Sequence, residues 1–198
     1  MKIKRLSAAA LALSMLSSTT AIVASAAQTI EADGLKFEVL EDGTLSLKGF
    51  ANSNDKKTVT ELEIPAEVDG QRVTSIGDSA FSYCESLTSI TIPDSVTSIG
   101  SETFSDCSSL TSITIPDSVT EIGRWAFSHC TSLESITIPD GVTVISDHTF
   151  FDCSSLTSVT LPEGLTKIDD GAFYSCTSLE SITIPDSVTW IHRVAFSY

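Results

Sequence analysis

From residue 87 onward, apolar residues return in a fixed order every 23 positions. In the unit opening at Leu87 they are Leu87, Ile90, Ile92, Val96, Ile99, Phe104 and Cys107, separated by Ser, Thr, Pro and Asp. A period of 20–50 residues marks a solenoid, whose units bury their apolar side only by stacking on one another. Within the unit, the 87–92 spacing predicts a short strand with Leu87, Ile90 and Ile92 turned inward. Pro93-Asp94 turns the chain, because proline lacks the donor that a ladder needs. Val96 and Ile99 alternate with Thr97 and predict a second short extended segment. Gly100 ends it, and Phe104 and Cys107, three apart, predict a short helix over 101–107 with one buried face. Seven inward side chains per coil, each worth about 1.5–3 kcal/mol when fully buried, make stacking the dominant stabilising contribution.

The units divide the chain. Four full ones cover 87–109, 110–132, 133–155 and 156–178, and an incomplete one covers 179–198. An atypical first unit spans 62–86 and carries five extra residues in its turn. The array 62–198 follows a segment, 28–61, in which 35–40 and 44–48 alternate apolar and polar around Glu41-Asp42-Gly43. That pattern predicts a β-hairpin, and its place predicts a cap on the first coil. Residues 52–57 read as an exposed loop. At the other end Tyr198 occupies the slot before each unit's cysteine, so the chain stops one residue short of its next expected Cys. This reads as a fragment or a shortened reading frame.

The first 27 residues break the pattern. Lys2, Lys4 and Arg5 precede an apolar stretch and then Ala24-Ser25-Ala26-Ala27, the three parts of a secretory signal peptide. The apolar stretch is interrupted by Ser14, Ser17, Ser18, Thr19 and Thr20, short of the roughly 20 apolar residues of a membrane span. No membrane insertion is expected after cleavage. Beyond it lie all 26 acids and 8 Lys and Arg, a net charge of −18. Such a surface repels nucleic acid and anionic lipid, which require basic footprints.

Units such as Ile90-Thr91-Ile92-Pro93-Asp94-Ser95-Val96-Thr97-Ser98-Ile99-Gly100 and Ala126-Phe127-Ser128-His129-Cys130-Thr131-Ser132-Leu133 resemble the BspA-type class of bacterial leucine-rich repeats. The likeness runs over roughly 30–198. The fold class expected is therefore an α/β solenoid: a right-handed leucine-rich-repeat coil with parallel strands and short helices, capped by an N-terminal β-hairpin. The resemblance also implies a secreted or surface-displayed protein engaged in adhesion and protein binding, with no catalytic residue set to carry across.

Five cysteines in register, Cys84, Cys107, Cys130, Cys153 and Cys176, stand 23 apart, as do Phe81, Phe104, Phe127, Phe150 and Phe173. Both files read as structural core. Coils near 4.8 Å apart fall within disulfide reach. Five is odd, however, and equivalent side chains on stacked coils point in parallel, so buried free thiols are expected. One thiol per coil does not make a zinc site. His129, His148 and His192 occupy three different columns, which is read as keeping them apart. No catalytic residue, metal or cofactor is assigned. The acidic file Asp94, Asp117, Asp140, Glu163 and Asp186 reads as turn chemistry ahead of calcium binding. The Ser89–Ser181 and Thr91–Thr183 hydroxyl files read as strand ladders ahead of an ice-binding plane.

Departures from the repeat carry the candidate ligand-binding residues: Trp125 and His148 in one column, Phe151 and Tyr174 in another, and Trp190 and Arg193 in the last unit. Small or polar residues fill those columns elsewhere, so packing does not require large rings there, and aromatics with Arg are what binding hot spots favour. Three functions stand: a protein-binding adhesion module, a carbohydrate-binding or wall-associated module, and a structural spacer. The partners expected are an extracellular protein or a polysaccharide. The chain is expected to be a monomer unless its open C-terminal end associates.

Overall fold

A computed structural model of the chain describes residues 28–197. The expected signal peptide, 1–27, and Tyr198 lie outside the described residues. The architecture is a solenoid of parallel-paired coils entered through an antiparallel unit.

That unit contains β1 (Thr29–Ala32), β2 (Leu35–Val39) and β3 (Leu45–Phe50), with β2 antiparallel to both others. Gly43 takes φ +80 in the β2–β3 turn, and the Asp42 carboxylate accepts hydrogen bonds from the Thr44 N–H and hydroxyl at 2.9 and 2.7 Å. Those bonds hold the Asp42 carboxyl below its ordinary range. Leu35, Phe37, Leu45 and Leu47 are fully buried. A 3-10 turn, Ser53–Lys57, leads to β4 (Glu61–Glu63), β5 (Glu67–Val68) and β6 (Gln71–Ile76). The five extra residues of the first unit are accounted for by β5 folding back antiparallel on β6 through Asp69 and Gly70, both at positive φ. β3 runs parallel to β6, placing Leu45 beside Val73 and Leu47 beside Ile76. Further along β3, Gly49 lets the strand lie against the turn that follows β6, because a Cβ there would collide with the Ala80 carbonyl oxygen.

Each later coil contributes two strand positions. The first ladder joins β4 to β7 (Ser89–Thr91) and continues through the bridges Thr91–Thr114 and Ser112–Ser135 to β10 (Ser135–Thr137) and β12 (Ser158–Thr160). The second joins β6 to β8 (Ser98–Ile99) and β9 (Glu121–Ile122), and separately β11 (Val144–Ile145) to β13 (Lys167–Ile168) and β14 (Trp190–Ile191). All these strands are parallel and pair residues 23 or 28 apart, so the sequence period is the coil. Ile90, Ile113 and Ile136 point inward from the first ladder. Ile99, Ile122, Ile145 and Ile168 do so from the second.

The expected short helices are absent, and the reason is hydrogen bonding. Across 101–107 the chain makes successive i→i+3 turns: Ser105 N–H donates to Glu102 O at 3.1 Å and Cys107 N–H to Phe104 O at 3.2 Å. Glu102 and Asp106 sit at φ +56 and +60, which no α-helix accommodates. The intervening N–H groups of Glu102, Phe104 and Asp106 point along the stacking axis and donate to Arg124, Ala126 and Ser128 at 2.8–2.9 Å. A seven-residue helix would leave more backbone groups unpaired than it joined. Turning alternate N–H groups toward the next coil makes a third ladder. It is worth about 0.5–1.5 kcal/mol per bond, against a cost of about 1–2 kcal/mol per left-handed residue.

Behind this third ladder the phenylalanines stack. Phe81, Phe104, Phe127, Phe150, Phe173 and Phe196 follow one another at 5.2–5.8 Å with planes within 16°. Phe50 of β3 meets Phe81 edge-on at 5.4 Å. The side chains flanking this file on the outside form the candidate site.

Candidate functional site

The turn ladder sets the site's geometry. Every residue in the column Ser79, Glu102, Trp125, His148 and Gly171 has a left-handed backbone, φ +55 to +59. The N–H of each of the first four donates to the next coil, for Trp125 to Asp147 O at 3.0 Å and for His148 to Asp170 O at 2.8 Å. Side chains of this column therefore stand in file at one-coil spacing. Trp125 and His148 lie face to face, 4.0 Å between centroids and 8° from parallel. Gly171 makes room on the far side, since a Cβ there would come within 2.8 Å of the His148 ring.

The neighbouring column supplies Phe151 and Tyr174, stacked at 5.2 Å and 5°. The two files touch. Phe151 lies 5.4 Å from Trp125 and 5.5 Å from His148, both tilted. The structure thus brings four of the six sequence-derived candidates, Trp125, His148, Phe151 and Tyr174, into one patch of half-buried rings spanning three coils.

The other two lie apart. Trp190 is on β14 beside Lys167, in the second ladder, with 57 % of its surface exposed. Arg193 is exposed in the last turn segment, and no ring contact joins either residue to the patch.

No contact joins the three histidines to one another among the described residues, but two of them share a neighbour. His129 and His148 occupy different columns, yet both meet Phe151, His129 edge-on at 5.3 Å. Columns are not isolated files, because side chains also reach diagonally between coils. His129 Nδ1 lies 3.1 Å from Asp152 one coil on, fixing the patch's polar corner. His192 instead faces Asp170, with Nδ1 2.8 Å from Oδ1 but outside hydrogen-bonding alignment.

Two residues went unmarked in the sequence. Among the described residues Tyr83 is the most exposed large apolar side chain, at 65 %. Its column holds Asp106, His129, Asp152, Ser175 and Tyr198 in the other units. Arg124, next to Trp125, is exposed. Ion pairs among the described residues join Lys48–Glu38 and Lys167–Asp169, and His129–Asp152 and His192–Asp170 are close contacts, none involving Arg124.

The cysteines lie on the inner side of the same segments. All five are free and buried. Their thiols do more than fill space: Cys107, Cys130, Cys153 and Cys176 donate to the carbonyls of Phe81, Phe104, Phe127 and Phe150 at 3.1–3.3 Å. Burial pushes the Cys130 and Cys153 thiols up, and Cys176 up to about 12. Cys107, buried beside Cys84, is likewise raised. Buried protonated thiols bonded to carbonyls are neither nucleophiles nor metal ligands. The arrangement offers recognition by surface rings over a rigid stacked core.

Comparison with known proteins places this geometry. A family model described as BspA type leucine rich repeat region matches residues 74–198 in six copies. No curated protein matches the chain significantly. Among solved structures, a leucine rich cell surface protein from Faecalibacterium prausnitzii is 33 % identical with TM-score 0.67, over 88 % of this chain and 53 % of its own. A leucine-rich repeat protein from Bacteroides ovatus is 31 % identical with TM-score 0.64, over 85 % of this chain and 50 % of its own. The leucine rich repeat protein of T. pallidum is 26 % identical with TM-score 0.67, over 83 % of this chain and 86 % of its own. The chain thus spans about half the length of the first two.

Proposed function

The chain belongs to the BspA-type leucine-rich repeat family, and from that premise we propose that it is a secreted or cell-surface recognition module that adheres by binding an extracellular protein. The reading is non-catalytic. The observation that carries it is the contiguous patch of Trp125, His129, His148, Phe151 and Tyr174, set on a repeat that fills most equivalent positions with small or polar residues. Large rings clustered on a rigid surface are what protein hot spots use. The export pattern at the N-terminus and the cell-surface description of the Faecalibacterium relative support the location. In this reading β1–β3 serve as the N-terminal cap of the array.

A polysaccharide laid along the aromatic file is the less favoured occupant. Trp125 on His148, and Phe151 on Tyr174, spend faces on each other. Sugar stacking needs open faces, and those are the surfaces so spent. A spacer role is the outcome if nothing binds.

The test is a binding array of extracellular-matrix proteins and polysaccharides, with a Phe151→Ser/Tyr174→Ser variant beside the parent chain. Serine occupies this column at Ser105 and Ser128, so the variant keeps the repeat. Protein hits that the variant loses support the reading. Hits that it retains, or hits confined to polysaccharides, overturn it.

A further inference from the structure

The column Tyr83, Asp106, His129, Asp152 and Ser175 keeps one backbone conformation throughout. All five residues are left-handed, φ +56 to +61, and each N–H donates to the next coil at 2.7–2.8 Å. Their side chains therefore stand in file at one-coil spacing, about 4.8 Å. One contact measures how far they reach: His129 Nδ1 lies 3.1 Å from Asp152 Oδ2 one coil on. Neighbours in this file can touch.

Asp106 has no such companion. The place one coil before it belongs to Tyr83, which brings no positive charge, and His129 one coil after it is turned to Asp152. The Ser105 hydroxyl donates to Asp106 Oδ2 at 2.9 Å and steadies the carboxylate without neutralising it. Among the described residues no Lys or Arg lies within ion-pair distance of Asp106. Lys56 is engaged elsewhere. Its Nζ donates at 3.1 Å to the Ser82 carbonyl, in the position that takes an N–H from the preceding coil at Ser105 and Ser128. It thus sits on the side of Tyr83 toward the N-terminal unit, with Asp106 on the other. Glu102 differs, because Arg124 stands beside it, accepting its N–H at 2.9 Å through the main chain.

A half-buried carboxylate with no counter-charge, next in file to a phenol ring that is 65 % exposed, has the chemistry to receive an organic cation. The carboxylate accepts charge-assisted hydrogen bonds, and an aromatic ring attracts a cation within about 6 Å of its centre. The place is continuous with the ring patch, because His129, one coil beyond Asp106, meets Phe151 edge-on at 5.3 Å. Resting on the protein-binding reading, we propose that Asp106 and Tyr83 receive an Arg or Lys side chain of the partner protein, at the border of the hot spot formed by the rings. The partner's apolar residue then meets Phe151 and Tyr174.

The probe is Nα-acetyl-arginyl-tryptophan amide, titrated into the isotope-labelled chain and followed by amide NMR shifts. Its uncharged isostere, with citrulline in place of arginine, is titrated in parallel. The expected result is saturable shifts at Tyr83, Asp106 and His129 with the arginine peptide, and an affinity about two- to fivefold lower for the citrulline peptide, the size of an exposed charge pair. Asp106→Asn keeps an acceptor for Ser105 and removes that difference. Tyr83→Ser, which installs the residue this column holds at Ser175, reduces it. Equal affinity of the parent chain for the two peptides overturns the proposal. So does an undiminished difference in Asp106→Asn, or the absence of saturable shifts with the arginine peptide. In Phe151→Ser/Tyr174→Ser both peptides should weaken alike. If neither weakens, the ring patch fails and the Asp106 seat stands, whereas loss of the arginine–citrulline difference alone removes the seat and leaves the patch.

Discussion

His148 lies parallel to Trp125 at 4.0 Å, and the space that lets it do so is the missing side chain of Gly171 one coil further on. The repeat backbone fixes the file, and one substitution in each of three successive coils turns a structural column into a half-buried stack. Gly171→Ala tests the arrangement. Ser79, Glu102, Trp125 and His148 hold the same left-handed backbone with side chains, so the conformational cost alone is about 1–2 kcal/mol. The added Cβ also displaces the His148 ring. A lower melting temperature and a shifted Trp125 emission maximum are expected, and an unchanged emission maximum contradicts the stacking.

The phenylalanine file makes the centre of the array more vulnerable than its end. Phe127→Ala leaves a cavity between Phe104 and Phe150, expected to cost about 3–5 kcal/mol. It also interrupts coil-to-coil coupling, through which a solenoid shares stability. Phe196→Ala, at a half-buried ring with one phenylalanine neighbour, costs less. Denaturant melts of both variants check the order, and equal losses contradict it.

The thiol file predicts alkaline unfolding. Burial holds the Cys130, Cys153 and Cys176 thiols above the ordinary value of 9.0, Cys176 at about 12. The folded chain therefore keeps protons that the unfolded chain releases. The stability this contributes is complete below pH 9 and is lost as pH rises toward each folded value, about 1.4 kcal/mol per pH unit for each thiol. Stability measured from pH 8 to 11 should fall with that slope, and Cys130→Ala should flatten it. In the native state at neutral pH all five buried thiols are expected to resist a thiol reagent and to react only on unfolding.

Much of the fold was legible because a 23-residue period carries its own registration. Ile90 and Ile99 predict two strand positions by spacing alone, and both exist. The helix over 101–107 was not legible, because Phe104 and Cys107 three apart suit an α-helical turn and a succession of i→i+3 turns equally. What separates them is the left-handed backbone at Glu102 and Asp106. Glu102 is not a residue type that favours it, and a lone Asp106 is as common in turns and caps of ordinary backbone. The patch was readable as departures from the repeat at Trp125, His148, Phe151 and Tyr174. His129 was not, because its link to Phe151 crosses columns. Arg193 drew notice in the last unit while Arg124, in the same column and adjacent to Trp125, did not.

Protein binding by an acidic module should also weaken as salt rises. A partner that docks on this acidic chain through basic surface would do so by exposed charges, which are screened beyond about 8 Å at physiological ionic strength. Affinity measured from 50 to 500 mM salt is expected to fall, with the loss mainly in the association rate. Salt-independent affinity contradicts a basic protein partner.

The most direct test of the central claim is the affinity of the chain for its strongest hit on the matrix-protein array, measured beside a Trp125→Ser/Phe151→Ser/Tyr174→Ser variant. Each change installs a residue that the same column holds in another coil, at Ser79, Ser105 or Ser128. The account predicts a folded variant whose affinity drops at least a hundredfold, as loss of several ring contacts in one hot spot requires. A folded variant that binds as tightly as the parent contradicts it and removes the aromatic patch from the function.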